Sequence, residues 1–326
     1  MIHTVSEPKL DRDIILQMMG DWGIANLHRI CGWLAAEMGF RSGRGSRFAT
    51  WNGRGGTDAF EAVLSGKVDT SFFVPAQFAR TVVEGKGIYS NEDIGRLRAI
   101  ATLPQDDKLV FAIQSKYGIN SLDDLRRKKP ALTVALAFDD GENMVGFATN
   151  RLLEAADIPR KTLENWGCTF LEGEAPWDTI PLAVDGKADA VIFEAIMTPY
   201  WKELQANHEM TFIPIDDNVL VALERNYGWP RGTISQDRFA GLGGPFETLD
   251  FSDFLLMCRD DLDDEIAHLM AWCICETTST IERQYKHLEP KDSPLTYPLD
   301  PAKMCRTSIP LHPGAERYYR EAKLLS

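Results

Sequence analysis

The residues best suited to chemistry fall into two short glycine-containing turns of opposite charge. Asn52-Gly53-Arg54-Gly55-Gly56-Thr57 carries one arginine among three glycines, whereas Asp139-Asp140-Gly141-Glu142-Asn143 carries three carboxylates around one glycine. A planar guanidinium takes a carboxylate through two parallel hydrogen bonds while backbone N–H groups complete a cradle. Arg54, with Asn52, Gly55 and Thr57, therefore suits an organic acid. The acidic turn, with Asp140, Glu142 and Asn143, suits an amino group or a hydrated cation. Its spacing matches no defined calcium loop, so no metal is expected, and no cofactor either. Each turn has a plain structural alternative: a solvated arginine in the first, and in the second carboxylates that simply stabilise the positive end of a helix. Glu194 is the first polar residue after a buried apolar run, a position from which a side chain can meet a ligand. Trp22, Trp51 and Phe138 offer apolar walls. For acid–base catalysis the available set is His28 with Glu142 or Glu194. The other histidines show no metal-ligand spacing, and no nucleophile elbow is present.

These two turns, and an earlier third one, each sit between a strand and a helix. Residues 13–18 read as a strand, 20–23 as a turn and 24–38 as a helix. The same order recurs at 48–51, 52–57 and 58 onward, and again at 133–138, 139–143 and 144–156. In open α/β sheets ligands gather outside the carboxyl ends of the strands, which is where such turns lie. The first turn, Gly20-Asp21-Trp22-Gly23, has the wrong glycine spacing for a dinucleotide fingerprint, and Trp22 is too bulky for a pyrophosphate cradle.

A stretch that occurs twice organises these units. Residues 58–73 read DAFEAVLSGKVDTSFF and residues 178–193 read DTIPLAVDGKADAVIF. Asp58, Gly66, Lys67 and Asp69 map onto Asp178, Gly186, Lys187 and Asp189 at one offset, 178 − 58 = 120. Each copy predicts a helix, a glycine that accepts the left-handed C-terminal position, and a strand buried on both faces. Two copies predict two similar lobes: residues 1–104 with 215–326, and residues 105–214. Residues 228–247 read as an irregular loop, 251–257 as a strand, and 261–281 as one long helix.

The chain has 326 residues, a net charge of −13 and no block of like charges, which disfavours nucleic acid as a partner. No apolar run is long enough to insert in a membrane. The N-terminus lacks the apolar core of a signal peptide, so a cytoplasmic location is expected if Met1 is the native start, and a periplasmic one if a leader was removed. Cys273 and Cys275 lie two apart on a helix and face away from each other, and the six cysteines read as buried thiols.

Several segments together resemble the TAXI family of solute receptors from tripartite ATP-independent periplasmic (TRAP) transporters. They are the turn at 52–57, Gly118-Ile119-Asn120-Ser121-Leu122-Asp123-Asp124-Leu125, Asp185-Gly186-Lys187-Ala188-Asp189-Ala190, and Pro310-Leu311-His312-Pro313-Gly314-Ala315 followed by Tyr318-Tyr319-Arg320-Glu321. The resemblance implies a two-lobed α/β fold of the type II periplasmic-binding-protein kind, each lobe a mixed sheet flanked by helices. It also implies a ligand cleft between the lobes, hinge closure, and TRAP membrane subunits as partners if the chain is exported. In the family the ligand is cradled by turns that fall by position at 20–26, which adds Asn26 as a polar contact, at 52–57 and at 139–143; the family's second-lobe turn is usually small and hydroxylated, and here it is acidic. The expected function is a solute-binding protein for a small carboxylate-bearing organic acid or amino acid. The alternatives are a cytosolic lyase, decarboxylase or hydrolase on the same scaffold, and a cytosolic ligand sensor.

Overall fold

A computed structural model describes residues 5–20, 26–196 and 198–325. The chain divides into two compact units, 1–106 with 252–326, and 107–251. In the first, β1 (Ile15–Gly20), β2 (Arg47–Asn52), β3 (Thr70–Phe73) and β4 (Leu97–Leu103) are laid down in turn. The second adds β5 (Leu109–Gln114), β6 (Thr133–Ala137), β7 (Thr169–Gly173), β8 (Ala190–Glu194), β9 (Met210–Phe212), β10 (Arg231–Ile234) and β11 (Phe246–Leu249). The chain then returns to the first unit with β12 (Phe254–Arg259).

Each unit is built on a five-stranded mixed sheet flanked by helices. The orders are β2-β1-β3-β12-β4 and β7-β6-β8-β5-β9. In both, three parallel strands are followed by one antiparallel strand, β12 or β5, and that strand is the one by which the chain arrives in the unit. The two sheets are thus the same arrangement made twice, as the repeated stretch implied.

The repeat survives at the level of single hydrogen bonds. Gly66 and Gly186 both have left-handed backbones, φ 74° and 72°. Their N–H groups reach Val63 and Ala183, and the N–H groups of Val68 and Ala188 reach Ala62 and Leu182, each pair again 120 positions apart (183 − 63, 182 − 62). The repeated aspartate then grips the middle one of the three parallel strands of its sheet. Asp69 Oδ2 accepts the Gln17 N–H at 2.7 Å while its own N–H donates to the Gln17 carbonyl at 2.9 Å. Asp189 does the same to Thr133, at 3.0 and 2.7 Å. The repeated lysines stay exposed.

Three boundaries differ from the sequence expectation. Residues 215–251 belong to the second unit rather than the first. The Ile215 N–H donates to Glu247 and the Thr248 hydroxyl to the Leu109 carbonyl at 2.5 Å, so this segment is tied to β5 and β11. Within it, the expected irregular loop contains the antiparallel pair β10–β11. Its period-two pattern is hidden because the inward position is Gly232, where a Cβ would lie 2.4 Å from Lys108 Cδ. The long helix at 261–281 starts at Asp264, capped by Asp263 Oδ1 on the N–H groups of Glu265 and Ile266. It breaks at Thr277, whose hydroxyl bonds back to the Cys273 carbonyl at 2.7 Å.

In the first unit, the helices Asn26–Gly39, Asp264–Glu276 and Pro313–Glu321 pack an apolar core against one face of the sheet. Tyr319 is fully buried there with its hydroxyl on the Ile100 carbonyl at 2.9 Å. All six cysteines are buried and free, and burial raises the thiols of Cys273 and Cys275 to about 12. Among the described residues no helix is long and apolar enough to cross a membrane.

Candidate functional site

In the first unit, β1, β2 and β3 run parallel, and Gly20 and Asn52 are register partners at their carboxyl ends. Gly20 lets the following helix return directly over the strand end, since a Cβ would stand 2.7 Å from the His28 backbone nitrogen. The basic turn leaves from the same edge. Its first N–H, from Gly53, donates to the Gly20 carbonyl at 2.9 Å, and the Arg54 N–H donates to Asp58 Oδ2 at 2.8 Å. Gly55 and Gly56 take φ of 101° and 65°, a reversal that side chains with a Cβ resist. Asn52 and Arg54 are exposed on this turn, while Gly55 and Thr57 are buried in it and Thr57 makes no side-chain cap.

The remaining first-unit candidates are placed differently. Trp51 is 51% exposed, but its Nε1 donates to Gln17 Oε1 at 3.0 Å. Gln17 pairs with Ala49, two residues before Trp51, so the indole leans back along the sheet face, away from the turn. Asn26 is engaged elsewhere: its Nδ2 donates to the Pro294 carbonyl at 3.1 Å and its Oδ1 accepts the Tyr285 hydroxyl. His28 is half-buried on the helix beyond Gly20. Trp22 lies outside the described residues.

In the second unit the parallel strands β6, β7 and β8 end at Ala137, Gly173 and Glu194. The acidic turn is largely a capping device. Asp140 Oδ1 accepts the N–H groups of Glu142 and Asn143 at 3.0 and 2.9 Å. Asn143 caps the helix Met144–Ala155 through Oδ1 on the Val145 and Gly146 N–H groups, and its Nδ2 ties the turn to the Glu174 carbonyl at 2.8 Å. With both side-chain polar atoms engaged and 5% of its surface exposed, Asn143 is framework. Gly146 permits the tight packing behind it, because a Cβ there would fall 1.7 Å from the Phe138 carbonyl oxygen. Asp139 and Glu142 point to the exterior, and Phe138 is 38% exposed beside them.

Glu194 ends β8 and is 6% exposed. Around it the fold gathers charged residues that sequence reasoning did not select: Asp107, Lys108, Arg238 and Asp250, of which the first three are buried. Lys108 Nζ reaches Asp250 Oδ1 and the Asp107 carbonyl, each at 3.0 Å. Asp107 Oδ1 accepts the N–H groups of Lys108 and Ala195 at 2.7 and 2.9 Å, and Arg238 donates to the Ala195 carbonyl at 3.1 Å. Burial pushes the Asp107 carboxyl up to about 7, against the pull of Arg238 and Lys108. No local sequence signal marks this group. Asp107 and Ala195 are 88 positions apart, and Arg238 lies in the glycine-rich segment between β10 and β11.

No curated protein matches the chain in sequence at a significant level. Among solved structures it is similar to a periplasmic transporter, at 11% identity over 95% of this chain and 92% of that one, TM-score 0.49. It is also similar to an ancestral arginine-binding protein bound to arginine, at 11% identity over 84% and 97%, TM-score 0.43. A third is the periplasmic aliphatic sulphonate binding protein SsuA from Escherichia coli, at 15% identity over 83% and 75%, TM-score 0.42. These likenesses are distant. The family match is of another order, because it spans residues 41–322: the chain belongs to the NMT1-like family.

Proposed function

We propose that the protein is a solute-binding protein of the TAXI type that takes a small carboxylate-bearing organic acid or amino acid and passes it to TRAP membrane subunits. The observation that supports this reading is the turn from Gly53 to Gly56. It presents the exposed Arg54 at the carboxyl end of a parallel strand, with two left-handed glycines shaping the backbone around it. In the first unit Arg54 is the group for a carboxylate; in the second unit, taken by itself, Glu142 and Glu194 are the groups for an amino or hydroxyl function. Asn26, Trp51 and Asn143 drop to supporting roles in this proposal, since each already serves the framework. A periplasmic location goes with it.

The test is a thermal-shift screen of mono- and dicarboxylates and amino acids, followed by calorimetry and mass spectrometry of the recovered ligand. Arg54→Ala should weaken the best carboxylate by about 1.5–3 kcal/mol, the loss of a charged hydrogen-bond set. A ligand recovered with altered mass would replace binding with catalysis. An unchanged affinity in the variant would remove Arg54 from the site.

A further inference from the structure

The end of β8 is held in a way that neither the repeat nor the glycine-rich turns require. Ala195, the residue after Glu194, is gripped on both sides of its backbone. Its N–H is shared between the Lys108 carbonyl at 2.8 Å and Asp107 Oδ1 at 2.9 Å. Its carbonyl accepts from the Arg238 guanidinium at 3.1 Å. The Lys108 carbonyl is ordinary continuation of the β5–β8 ladder, which runs in register up to Leu109 and Glu194. The carboxylate and the guanidinium are additions. Both belong to side chains that are more than nine-tenths buried, Asp107 at 1% and Arg238 at 7% exposure.

Placing such groups under cover costs several kcal/mol unless they are paired and hydrogen-bonded, and a well-packed apolar pair would hold two strands together as well. What the charged pair adds is direction: Asp107 fixes the peptide unit before Ala195 and Arg238 the one after it. The charged groups around Asp107 are Lys108, next to it just before β5, Glu194 at the end of β8, Arg238 in the β10–β11 connection, and Asp250 after β11, which holds Lys108 Nζ; Asp237, beside Arg238, is exposed. Asp106 precedes it and is exposed.

We propose that Asp107 is a positioning residue for the carboxyl end of β8: its ionised carboxylate fixes the Glu194–Ala195 peptide, and with it the Glu194 side chain, and taking up a proton loosens that grip. This rests on the reading of Glu194 as a ligand contact. A hydrogen bond to a carboxylate is about twice as strong as one to a neutral carboxyl, and the neutral form also withdraws the anion that Arg238 and Lys108 face. Since burial places the proton uptake near neutrality, the loosening falls within an accessible pH range.

The experiment has two arms on the full chain. In the first, hydrogen exchange of the Ala195 amide is followed by NMR from pH 8 to pH 6, corrected for intrinsic exchange, in the wild type and in Asp107→Asn. The wild type should lose about five-fold in protection as the pH falls, the difference between a charged and a neutral bond, and Asp107→Asn should be low and flat. Asp107→Glu, which keeps the charge, should restore part of the pH dependence, a rescue that simple packing would not produce. In the second arm, affinity for the best carboxylate or amino acid from the thermal-shift screen is measured over the same range, and should fall in parallel for the wild type alone. Ala195 protection that is independent of pH and equal in wild type and Asp107→Asn overturns the proposal. If exchange behaves as described but no solute binds, the positioning role stands and the solute-binding reading fails. If a solute binds with an affinity indifferent to Asp107→Asn, the link from Asp107 to Glu194 is refuted.

Discussion

Removing the carboxylate of the repeated aspartate tests whether the duplicated stretch is a structural clamp. Asp69 and Asp189 each close a two-bond ring with the middle parallel strand of their own sheet, on Gln17 and Thr133. Asp69→Ala or Asp189→Ala removes one charge-assisted bond of 2.7 or 3.0 Å and leaves a half-buried backbone N–H to find water. The expected cost is about 1–3 kcal/mol for each. For a domain of this size that lowers the midpoint of thermal unfolding by about 2–4 °C per kcal/mol, so about 2–12 °C. Asp189 should lie toward the upper end, because Lys116 Nζ also reaches it at 3.1 Å and the Tyr117 hydroxyl bonds to it. Burial alone would raise the Asp189 carboxyl, but the Thr133 N–H, the Tyr117 hydroxyl and the Lys116 ammonium outweigh burial and hold it below the usual range. With the folded value depressed, its stabilisation is present above the unfolded value of about 4 and disappears as the pH falls through the folded one. Scanning calorimetry from pH 7 to pH 3 should therefore show the Asp189→Ala deficit shrinking with acid. Lys67→Ala and Lys187→Ala serve as controls, since both side chains are exposed and should move stability by less than about 0.5 kcal/mol. Lysine variants as damaging as the aspartate variants, or aspartate variants with wild-type midpoints, would refute the clamp.

Two further outcomes follow from the geometry. Gly146→Ala should cost about 1–3 kcal/mol or more, because its Cβ would collide with the Phe138 carbonyl, whereas Gly32→Ala meets nothing within 4 Å in an exposed helical position and should add about 0.5–1 kcal/mol; denaturant titrations of the two compare them directly. His312 is fully buried with Nδ1 accepting the Gly314 N–H at the start of the helix Pro313–Glu321, and burial, despite Asp264 nearby, lowers its proton affinity. Its stabilisation should be complete above about pH 6.5 and fall as the pH drops toward the lowered folded value, and His312→Asn, which keeps an N-cap acceptor, should flatten that part of the calorimetric pH profile.

The sequence by itself determined the duplicated αβ unit, because its signals are local. A glycine at a helix end, an aspartate three residues later and an unbroken apolar run each report on the chain within a turn or two, and the 120-residue offset carried them into two equivalent sheets. It also marked the glycine-rich turn around Arg54. The role of each polar side chain was another matter. Asn143 and Asp140 have the residue types of a ligand site and are largely consumed by capping, while Trp51 bonds back to Gln17; partner choice of that kind depends on which backbone groups are left unsatisfied nearby. The passage back to the first unit at 251–252, rather than near 214, was decided by the β10–β11 pair, whose alternation is interrupted by a glycine that Lys108 fills. Only the tertiary structure could assemble Asp107, Lys108, Arg238 and Asp250 at the end of β8. Charged side chains can be buried only where partners from distant segments converge, and that convergence is a property of the folded chain rather than of any stretch of it.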